Sequence, residues 1–264
     1  MLSNFKPILS TPFGREGYRE IAPSEALAPY VRCFWNEKRG NPPTLVIPDI
    51  CADIIFKIGD EDFFCALDDN SYYSSSSDGE LFGVRFYAWT AALFAESGFS
   101  GSKNKVFRTE EFFGGIKAEL APYIQSAKSF QERVAFAEKV LAKRLDKIRI
   151  NCNLMNAVDF IIASDGRSSV AEICGYTVLS PRQLERIFDQ YTGISPKAFS
   201  ELVRYQLLWQ EVASGKFEVL DAVERFGFFD QPHLLREFKK RHLMTPKQAR
   251  EYAMSHFYNT AAPK

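Results

Sequence analysis

The stretch SVAEICGYTVLSPRQLERIFDQYTGISPKAF, residues 169–199, has a counterpart in AVERFGFFDQPHLLREFKKRHLMTPKQAREY, residues 222–252. At a constant offset of 50 residues, Leu184, Arg186, Phe188 and Pro196 are matched by Leu234, Arg236, Phe238 and Pro246, and Ser195 is matched by Thr245. A constant offset across identical residues indicates an internal duplication of one structural unit.

Each copy has the order of signals that a helix-turn-helix unit requires. A short helix is predicted over 170–177 and again over 219–226, each followed by a tight turn. The second helix then begins at Ser180-Pro181 or at Asp230-Gln231-Pro232, where Ser and Asp are favoured N-caps and Pro suits the first turn. Between the copies, 195–213 predicts one continuous helix of about 28 Å, close to the roughly 34 Å of one turn of B-DNA.

The second helix of each unit carries polar side chains on its outer face. Its inward positions are Leu184, Ile187, Phe188, Leu234, Leu235 and Phe238. Candidates for reading base edges are Arg182, Gln183, Arg186, Gln231, His233 and Arg236, because Arg can bond guanine and Gln adenine. Candidates for phosphate contacts are Ser180, Lys197, Lys239, Lys240, Arg241, Thr245 and Lys247. A solvated helix face would carry the same basic cluster, so the duplication is what favours DNA.

The first hundred residues predict a small β domain, a barrel or a sandwich. Short apolar runs over 30–35, 44–47, 54–58, 63–67 and 82–86 alternate with turn-forming residues. Their aromatic side chains could fill a core or line a cavity. From Trp89 onward the pattern is helical, with amphipathic segments around 116–124 and 130–141 that would pack on the β domain or on a second subunit.

These patterns predict an α+β chain with three segments. Residues 1–145 form a regulatory domain for ligand sensing or dimerisation, β-rich to about residue 90 and then helical. Residues 146–152, within the polar run KRLDKIRINCN, form a linker. Residues 153–256 form an all-helical DNA-binding domain with two helix-turn-helix motifs.

Composition restricts the classes of function. The 33 Lys plus Arg balance 33 Asp plus Glu, so any hold on a polyanion must be local. Five Cys without a CxxC pair and three His without ligand spacing predict neither a metal site nor a cofactor. The chain lacks a signal-peptide pattern and an 18-residue apolar run, which predicts a cytoplasmic protein without membrane contact.

An enzyme would need a constellation of reactive side chains. Asp49 and Asp53 could share a face with Arg32 or Arg85 and do acid–base work, although such acids are more often turn formers. A methyl-accepting or redox-sensing thiol would need flanking motifs that are absent. The sequence therefore predicts no catalytic residue and no enzyme.

The duplicated stretches resemble the AraC/XylS family of bacterial transcription regulators. The resemblance includes the elements GF-x-D-Q-x-H and F-K-x-x-x-x-x-TP and spans about 100 residues. The segment WNEKRGNPPTLVIPDICADIIFKIG at 35–59, with GVRF at 83–86, is similar to the N-terminal domain of a subset of this family.

The resemblance implies a seven-helix DNA-binding domain behind a cupin-like sensor domain with helices. It adds Glu185 to the groove-facing residues, where its carboxylate could accept from a cytosine amino group. The family usually has Gly where Val178 stands, so we expect a distorted first turn or one that uses Gly175 in another register.

The resulting prediction is a sequence-specific transcription regulator that reads two successive major grooves under control of a sensor domain. The expected partners are double-stranded DNA, RNA polymerase if it activates transcription, a small-molecule effector of unknown identity, and a second copy in a homodimer. The alternative is an adaptor that retains the helix-turn-helix units but binds another regulator. A steep salt dependence of duplex binding would favour DNA over the adaptor.

Overall fold

An antiparallel sheet occupies the first part of the chain. The structure, a computed structural model, describes residues 5–12, 14, 16–39, 43–74 and 79–260, the last five without their side chains. Its strands are β1 Tyr18–Ile21, β2 Val31–Arg39, β3 Leu45–Val46, β4 Cys51–Lys57, β5 Asp62–Cys65, β6 Tyr72–Tyr73, β7 Gly79–Tyr87 and β8 Val106–Arg108. The main sheet has the order β1-β2-β7-β4-β5-β8, while β3 and β6 pair with each other as a separate ribbon.

Both faces of the main sheet are covered. Phe34, Ile54, Phe64 and Val84 point to one face, where they join the core formed by helices α2 Glu110–Ser126 and α3 Phe130–Ala142. The opposite face looks towards the β3–β6 ribbon. Strand β4 is therefore buried at nearly every position instead of alternating. Of the two packings that the sequence allowed for α2 and α3, the structure shows the one on the sheet.

Residues 152–260 form an all-helical region. Its helices are α4 Cys152–Ala163, α5 Val170–Thr177, α6 Pro181–Thr192, α7 Pro196–Ser214, α8 Val219–Arg225, α9 Gln231–His242 and α10 Pro246–Thr260. A four-residue helix, α1 Ala88–Ala91, and a short 3-10 turn at Leu145–Lys147 lie before them. In the described part of the chain no helix is both long and apolar enough to cross a membrane.

The α+β class and the seven-helix C-terminal region are confirmed. The sheet differs from a closed barrel, because β1 and β8 stand at opposite ends of the strand order. Strands β1, β6 and β8 were not predicted. They have two to four residues each, too few to show the alternation that marks a strand.

The helix-turn-helix boundaries follow from local capping. Ser169 and Ser180 each form a capping box with the residue three positions on, and Asp230 caps α9 by accepting from the His233 N–H at 2.7 Å. Helix α7 is continuous over 19 residues, as predicted, and ends at Gly215 in the left-handed conformation that favours glycine.

The first turn is neither distorted nor shifted to Gly175, the two outcomes that the sequence left open. Val178 itself adopts the left-handed conformation, with φ 56° and ψ 35°, at the end of α5. Its side chain is 90% exposed and the N–H of Val178 still bonds the Cys174 carbonyl. The turn therefore keeps its geometry, and the steric cost falls on one residue.

The N-terminal and helical regions share two apolar clusters. In one, Trp89 packs edge-to-face on Phe199 with ring centroids 5.9 Å apart. In the other, Leu45 and Ile47 of the ribbon region pack with Trp209 of α7 and Phe238 of α9. The sheet is thus seated on the helix that joins the two helix-turn-helix units.

Candidate DNA-binding face and ligand cavity

Helix α6 presents a polar face to solvent. Arg182, Glu185 and Arg186 are exposed, whereas Leu184 and Phe188 of the same helix are fully buried. The pattern places the three charged side chains where a recognition helix would meet base edges.

Two predicted contact residues on α6 are already engaged in its capping box. The Gln183 Oε1 atom accepts from the Ser180 N–H at 2.9 Å and from the Ser180 hydroxyl at 2.8 Å. The Thr245 hydroxyl is likewise bonded to Gln248 at 2.9 Å. These side chains fix helix starts, and their bonds to the caps compete with bonds to DNA.

Helix α9 presents the second polar face. Its exposed side chains are Gln231, Arg236, Lys239 and Lys240. Two further lysines are exposed at the starts of other helices, Lys247 on α10 and Lys197 on α7. His233 is half-buried, its Nδ1 accepting from the Phe229 N–H at 3.3 Å and its ring lying edge-on to Phe228. The His233 ring at the start of α9 is therefore held in place by contacts with the preceding turn.

Arg241 was predicted to contact phosphate, but the structure places its side chain in the interior. Its side chain is buried, with Nη2 2.7 Å from the Glu201 carboxylate and Nη1 3.4 Å from the Asp69 carbonyl. It points into the junction of α7, α9 and the N-terminal region, because a carboxylate there satisfies its charge. The periodicity of α9 could not show this partner, which lies 40 residues away.

The structure adds residues that the sequence did not single out. Lys103, from the loop between α1 and β8, lines a surface groove together with Arg182 and Arg186 and pairs with Asp69 at 3.1 Å. Phe229 is 90% exposed immediately before the N-cap of α9. Phe229 could have been noticed in the sequence as an aromatic residue in a predicted turn. The position of Lys103 beside α6 depends on tertiary packing and could not.

A cavity of about 320 Å³ lies between the main sheet and the ribbon. Its floor is set by strand register, since Arg85, Asp53 and Cys65 stand side by side on the neighbouring strands β7, β4 and β5. The roof is formed by Leu45, Val46, Asp68 and Tyr72, and residues 9–11 close one side.

Gly83 makes the floor possible. A Cβ at this position would overlap the indole ring of Trp35, so only glycine lets that ring lie across the strand. The indole Nε1 can then donate to Asp53 Oδ1 at 2.6 Å, while Tyr18 stacks on the ring at 6.0 Å between centroids.

Arg85 is held by both acids that the sequence placed near it. Its Nε lies 3.0 Å from Asp53 Oδ1 and its Nη1 lies 3.5 Å from Asp49 Oδ2. Burial acts to lower the pKa of Arg85, but the charges of Asp53 and Asp49 outweigh it and raise that pKa well above its usual range. Burial raises the pKa of Asp49.

The cavity roof is also attached to the helical region. Gln206 of α7 donates to the Pro48 carbonyl at 2.7 Å, one residue from Asp49, and to the Ile8 carbonyl at 3.2 Å. The Leu45 N–H donates to the Tyr252 hydroxyl at 3.3 Å, and the Ser71 hydroxyl donates to the Arg241 carbonyl. The same short segments therefore contact the cavity on one side and α7, α9 and α10 on the other.

Residues 171–252 match the family described as helix-turn-helix domain. This match covers helices α6 to α9 and most of α5, and so includes both helix-turn-helix units. Residues 19–107 match a second family, described as a domain of unknown function, DUF6597. The boundary of this match encloses all the strands of the main sheet except the first residue of β1 and the last of β8.

The chain is similar to two curated proteins. The regulatory protein Ada of Salmonella typhimurium is 28% identical over 178 residues, which are 67% of this chain and 46% of that protein. The bifunctional transcriptional activator/DNA repair enzyme Ada of Escherichia coli is 26% identical over 192 residues, 70% of this chain and 50% of that protein. The chain spans about half the length of these relatives.

A solved structure of a transcriptional regulator from Chromobacterium violaceum, with an AraC-type DNA-binding domain, is 25% identical. The similarity covers 43% of this chain and 96% of that one, with a TM-score of 0.36.

Proposed function

We propose that this protein is a sequence-specific DNA-binding transcription regulator whose two helix-turn-helix units read successive major grooves. The observation that carries the proposal is the pair of exposed arginine faces, Arg182 with Arg186 on α6 and Arg236 on α9, each near the capped start of its helix. Arginine at such positions bonds guanine edges, and the N-terminal residues of a recognition helix are those that reach the bases.

Helix α7 supports the reading of two grooves. Nineteen residues at 1.5 Å per residue give about 28 Å. This length approaches the roughly 34 Å that separates successive major grooves on one side of a duplex. A continuous helix also limits how far the two units can move apart.

The side chains divide into two classes of proposed contact. Arg182, Glu185, Arg186, Gln231 and Arg236 are the base-reading set, with Gln183 and His233 acting mainly through the helix starts that they hold. Lys197, Lys239, Lys240 and Lys247 are the phosphate set. Phosphate contacts would position the protein and base contacts would select the sequence.

The segment 1–145 is proposed as the sensor and 153–256 as the DNA-binding domain, with 146–152 as linker. A ligand in the cavity could change DNA binding only if its affinity differs between two arrangements of these parts. The β3–β6 ribbon and residues 48–49 provide the contact, because they touch the cavity as well as α7 and α9. RNA polymerase, for an activator, and a second copy of the chain are further proposed partners.

The proposal includes no catalytic step. Burial raises the pKa of the Cys33 and Cys51 thiols well above their usual range, so both are protonated near neutral pH. Protonated thiols are poor nucleophiles. The repair activity in the name of the Escherichia coli relative belongs to that protein.

The test is selection of bound duplexes from a random pool with the full-length protein at low and moderate salt. We expect a bipartite site whose halves lie about one helical turn apart, and binding that weakens steeply as salt rises. Arg186→Ala should lose selection of one half and Arg236→Ala of the other, each by about 1–3 kcal/mol. Arg19→Ala, which removes an exposed charge on β1, is the matched control.

Equal losses of the arginine variants on selected and random DNA would refute the base-reading assignment. No selection and no salt-dependent retention would favour the adaptor instead.

A further inference from the structure

The cavity beneath the β3–β6 ribbon has the size of a small-molecule site. Its volume of about 320 Å³ lies at the lower end of the range of roughly 300–1,000 Å³ for such sites. It is bounded by the sheet, by the ribbon and by residues 9–11, and it is not part of the DNA-binding face.

Acidic side chains dominate the charge around this cavity. Its lining contains Glu37, Asp49, Asp53 and Asp68 but a single basic residue, Arg85. Arg85 is already paired with Asp53 and Asp49, so ionisation of Asp68 gives the wall a net negative charge. An anionic ligand would therefore meet net repulsion in a setting of low dielectric constant.

Arg85 is not available to hold an anion. Its guanidinium is shared by the Asp53 and Asp49 carboxylates, and the Trp35 ring lies 5.8 Å from its Cζ atom. A ligand carboxylate would have to displace one of these acids into a buried position without a partner, which is costly.

Aromatic rings supply the remaining wall. Tyr18, Trp35, Phe63 and Tyr72 all line the cavity, and Tyr18 stacks on Trp35. Rings of this kind attract a cation through their negative faces and also pack on an apolar body. The acids and the rings thus favour the same ligand chemistry.

We propose that the cavity binds a small organic cation, an ammonium or amidinium compound with an apolar body, held by the Asp68 carboxylate among the aromatic rings. This assignment deepens the sensor role and rests on the proposed function for its regulatory consequence. The binding event itself can be measured without DNA.

Asp68 gives the proposal a specific readout. Burial, with the charges of Asp49, Asp69 and Asp53, raises the pKa of Asp68 to about 7, against the lowering effect of a hydrogen bond from Tyr72. A bound cation stabilises the ionised carboxylate. The affinity for an amine should therefore rise as pH increases from 6 to 8.

The experiment uses the full-length protein and matched sets of compounds that differ only in charge. The sets are phenethylamine, 2-phenylethanol and 3-phenylpropionate, and tryptamine, indole-3-ethanol and indole-3-propionate, with agmatine and choline as further cations. Thermal unfolding identifies binders and calorimetry measures Kd. We expect at least one cation to raise Tm, and an aromatic amine to bind at least about tenfold more tightly than its alcohol.

Variants separate the cavity from the overall charge of the protein. Asp68→Asn should weaken amine binding by about tenfold and remove its rise with pH. Asp60→Asn, which removes the same charge from an exposed loop outside the cavity, should leave both unchanged. Tyr72→Phe provides a second cavity variant and should also weaken binding, through the lost hydrogen bond to Asp68.

The proposal is overturned if no cation of the panel raises Tm, if a carboxylate binds as tightly as its amine, or if Asp68→Asn has no effect on a bound amine. Duplex binding is measured on the same samples. Selection of DNA without amine binding would refute the cavity assignment alone, and amine binding without DNA binding would refute the regulator alone.

Discussion

Val178 alone takes up the backbone strain of the first helix-turn-helix turn. A β-branched side chain resists positive φ because its Cβ approaches the following carbonyl oxygen. The helix-turn-helix turn nevertheless requires that conformation, and Val178 adopts it while its side chain makes little contact with the core. The sequence shows the conflict between a β-branched residue and a positive φ, and the structure shows that Val178 adopts the strained conformation.

Val178→Gly should therefore stabilise the protein. Relief of the left-handed valine, partly offset by the greater freedom of glycine in the unfolded chain, is worth about 0.5–1 kcal/mol. Urea unfolding gives the free energy of unfolding. Val170→Gly, in helical conformation at the start of the same helix, is the matched control and should destabilise. A loss of stability in Val178→Gly would show that the valine side chain packs usefully.

Arg241 and Lys240 are neighbours on α9 with opposite expected roles. Arg241→Ala leaves the Glu201 carboxylate and the Asp69 carbonyl without their donor, so we expect the free energy of unfolding to fall by about 1–3 kcal/mol. Lys240→Ala should leave stability unchanged and reduce affinity for all duplexes alike, with a shallower salt dependence.

Thermal or urea unfolding and a salt titration of duplex binding distinguish the two variants. If Arg241→Ala kept full stability and reduced the salt dependence as Lys240→Ala does, the inward position of Arg241 would be refuted.

Among the elements, helices that depend on local signals could be predicted from the sequence, whereas features that depend on the register of distant strands could not. Helices α5 to α7 and α9 could be located because their caps and apolar spacing lie within a few residues of each other. The cavity could not, because its floor needs Arg85, Asp53 and Cys65 in register across three strands of the sheet. Asp49, Asp53 and Arg85 were recognisable as a possible group, yet nothing local showed a cavity above them.

A substitution at Gly83 tests whether the Trp35 ring needs a glycine on the neighbouring strand. Gly83→Ala should push the Trp35 indole off the sheet, break its bond to Asp53 and destabilise the protein by about 1–3 kcal/mol. Tryptophan fluorescence and urea unfolding measure the two effects. Gly175→Ala, in helix α5 with open space around its Cβ, should instead stabilise by about 0.5–1 kcal/mol. Equal behaviour of the two variants would contradict the role assigned to Gly83.

At the scale of the whole molecule, α7 is the shared support. It joins the two helix-turn-helix units and packs against the ribbon. Its side chains Gln206, Trp209 and Gln210 also donate hydrogen bonds to backbone carbonyls within residues 6–9. Trp209 Nε1, for example, donates to the Leu9 carbonyl at 2.9 Å. Such contacts bridge about three-quarters of the chain and leave no periodic trace in the sequence, which is why the seating of the sheet on α7 was not predicted.

His242 makes the stability of this assembly depend on pH. Its ring lies among Trp209 and Phe238 and shares a 2.8 Å hydrogen bond with the Tyr205 hydroxyl, and burial lowers its pKa to about 3. Below the unfolded pKa of about 6.5 the unfolded chain binds a proton that the folded chain does not. Stability is therefore fully present above pH 6.5 and falls as pH decreases towards 3.

The expected loss through His242 is about 1.4 kcal/mol per pH unit below 6.5. Asp68 acts in the opposite direction, because its raised pKa favours the folded state at lower pH. The measurement is therefore the difference in free energy of unfolding between wild type and His242→Asn from pH 7.5 to 5. A difference that does not change with pH would show that His242 is not buried as a neutral ring.

The hydrogen bonds between residues 6–9 and α7 also set an order of events during synthesis. Ile8 and Gln206 are 198 residues apart, so at about 5–20 residues per second the earlier segment leaves the ribosome about 10–40 s before its partner exists. During that interval the side of the cavity that residues 9–11 close stays open, and the nascent sheet exposes apolar surface that α7 later covers. The protein is therefore most exposed to chaperones and proteases while its second half is still being translated.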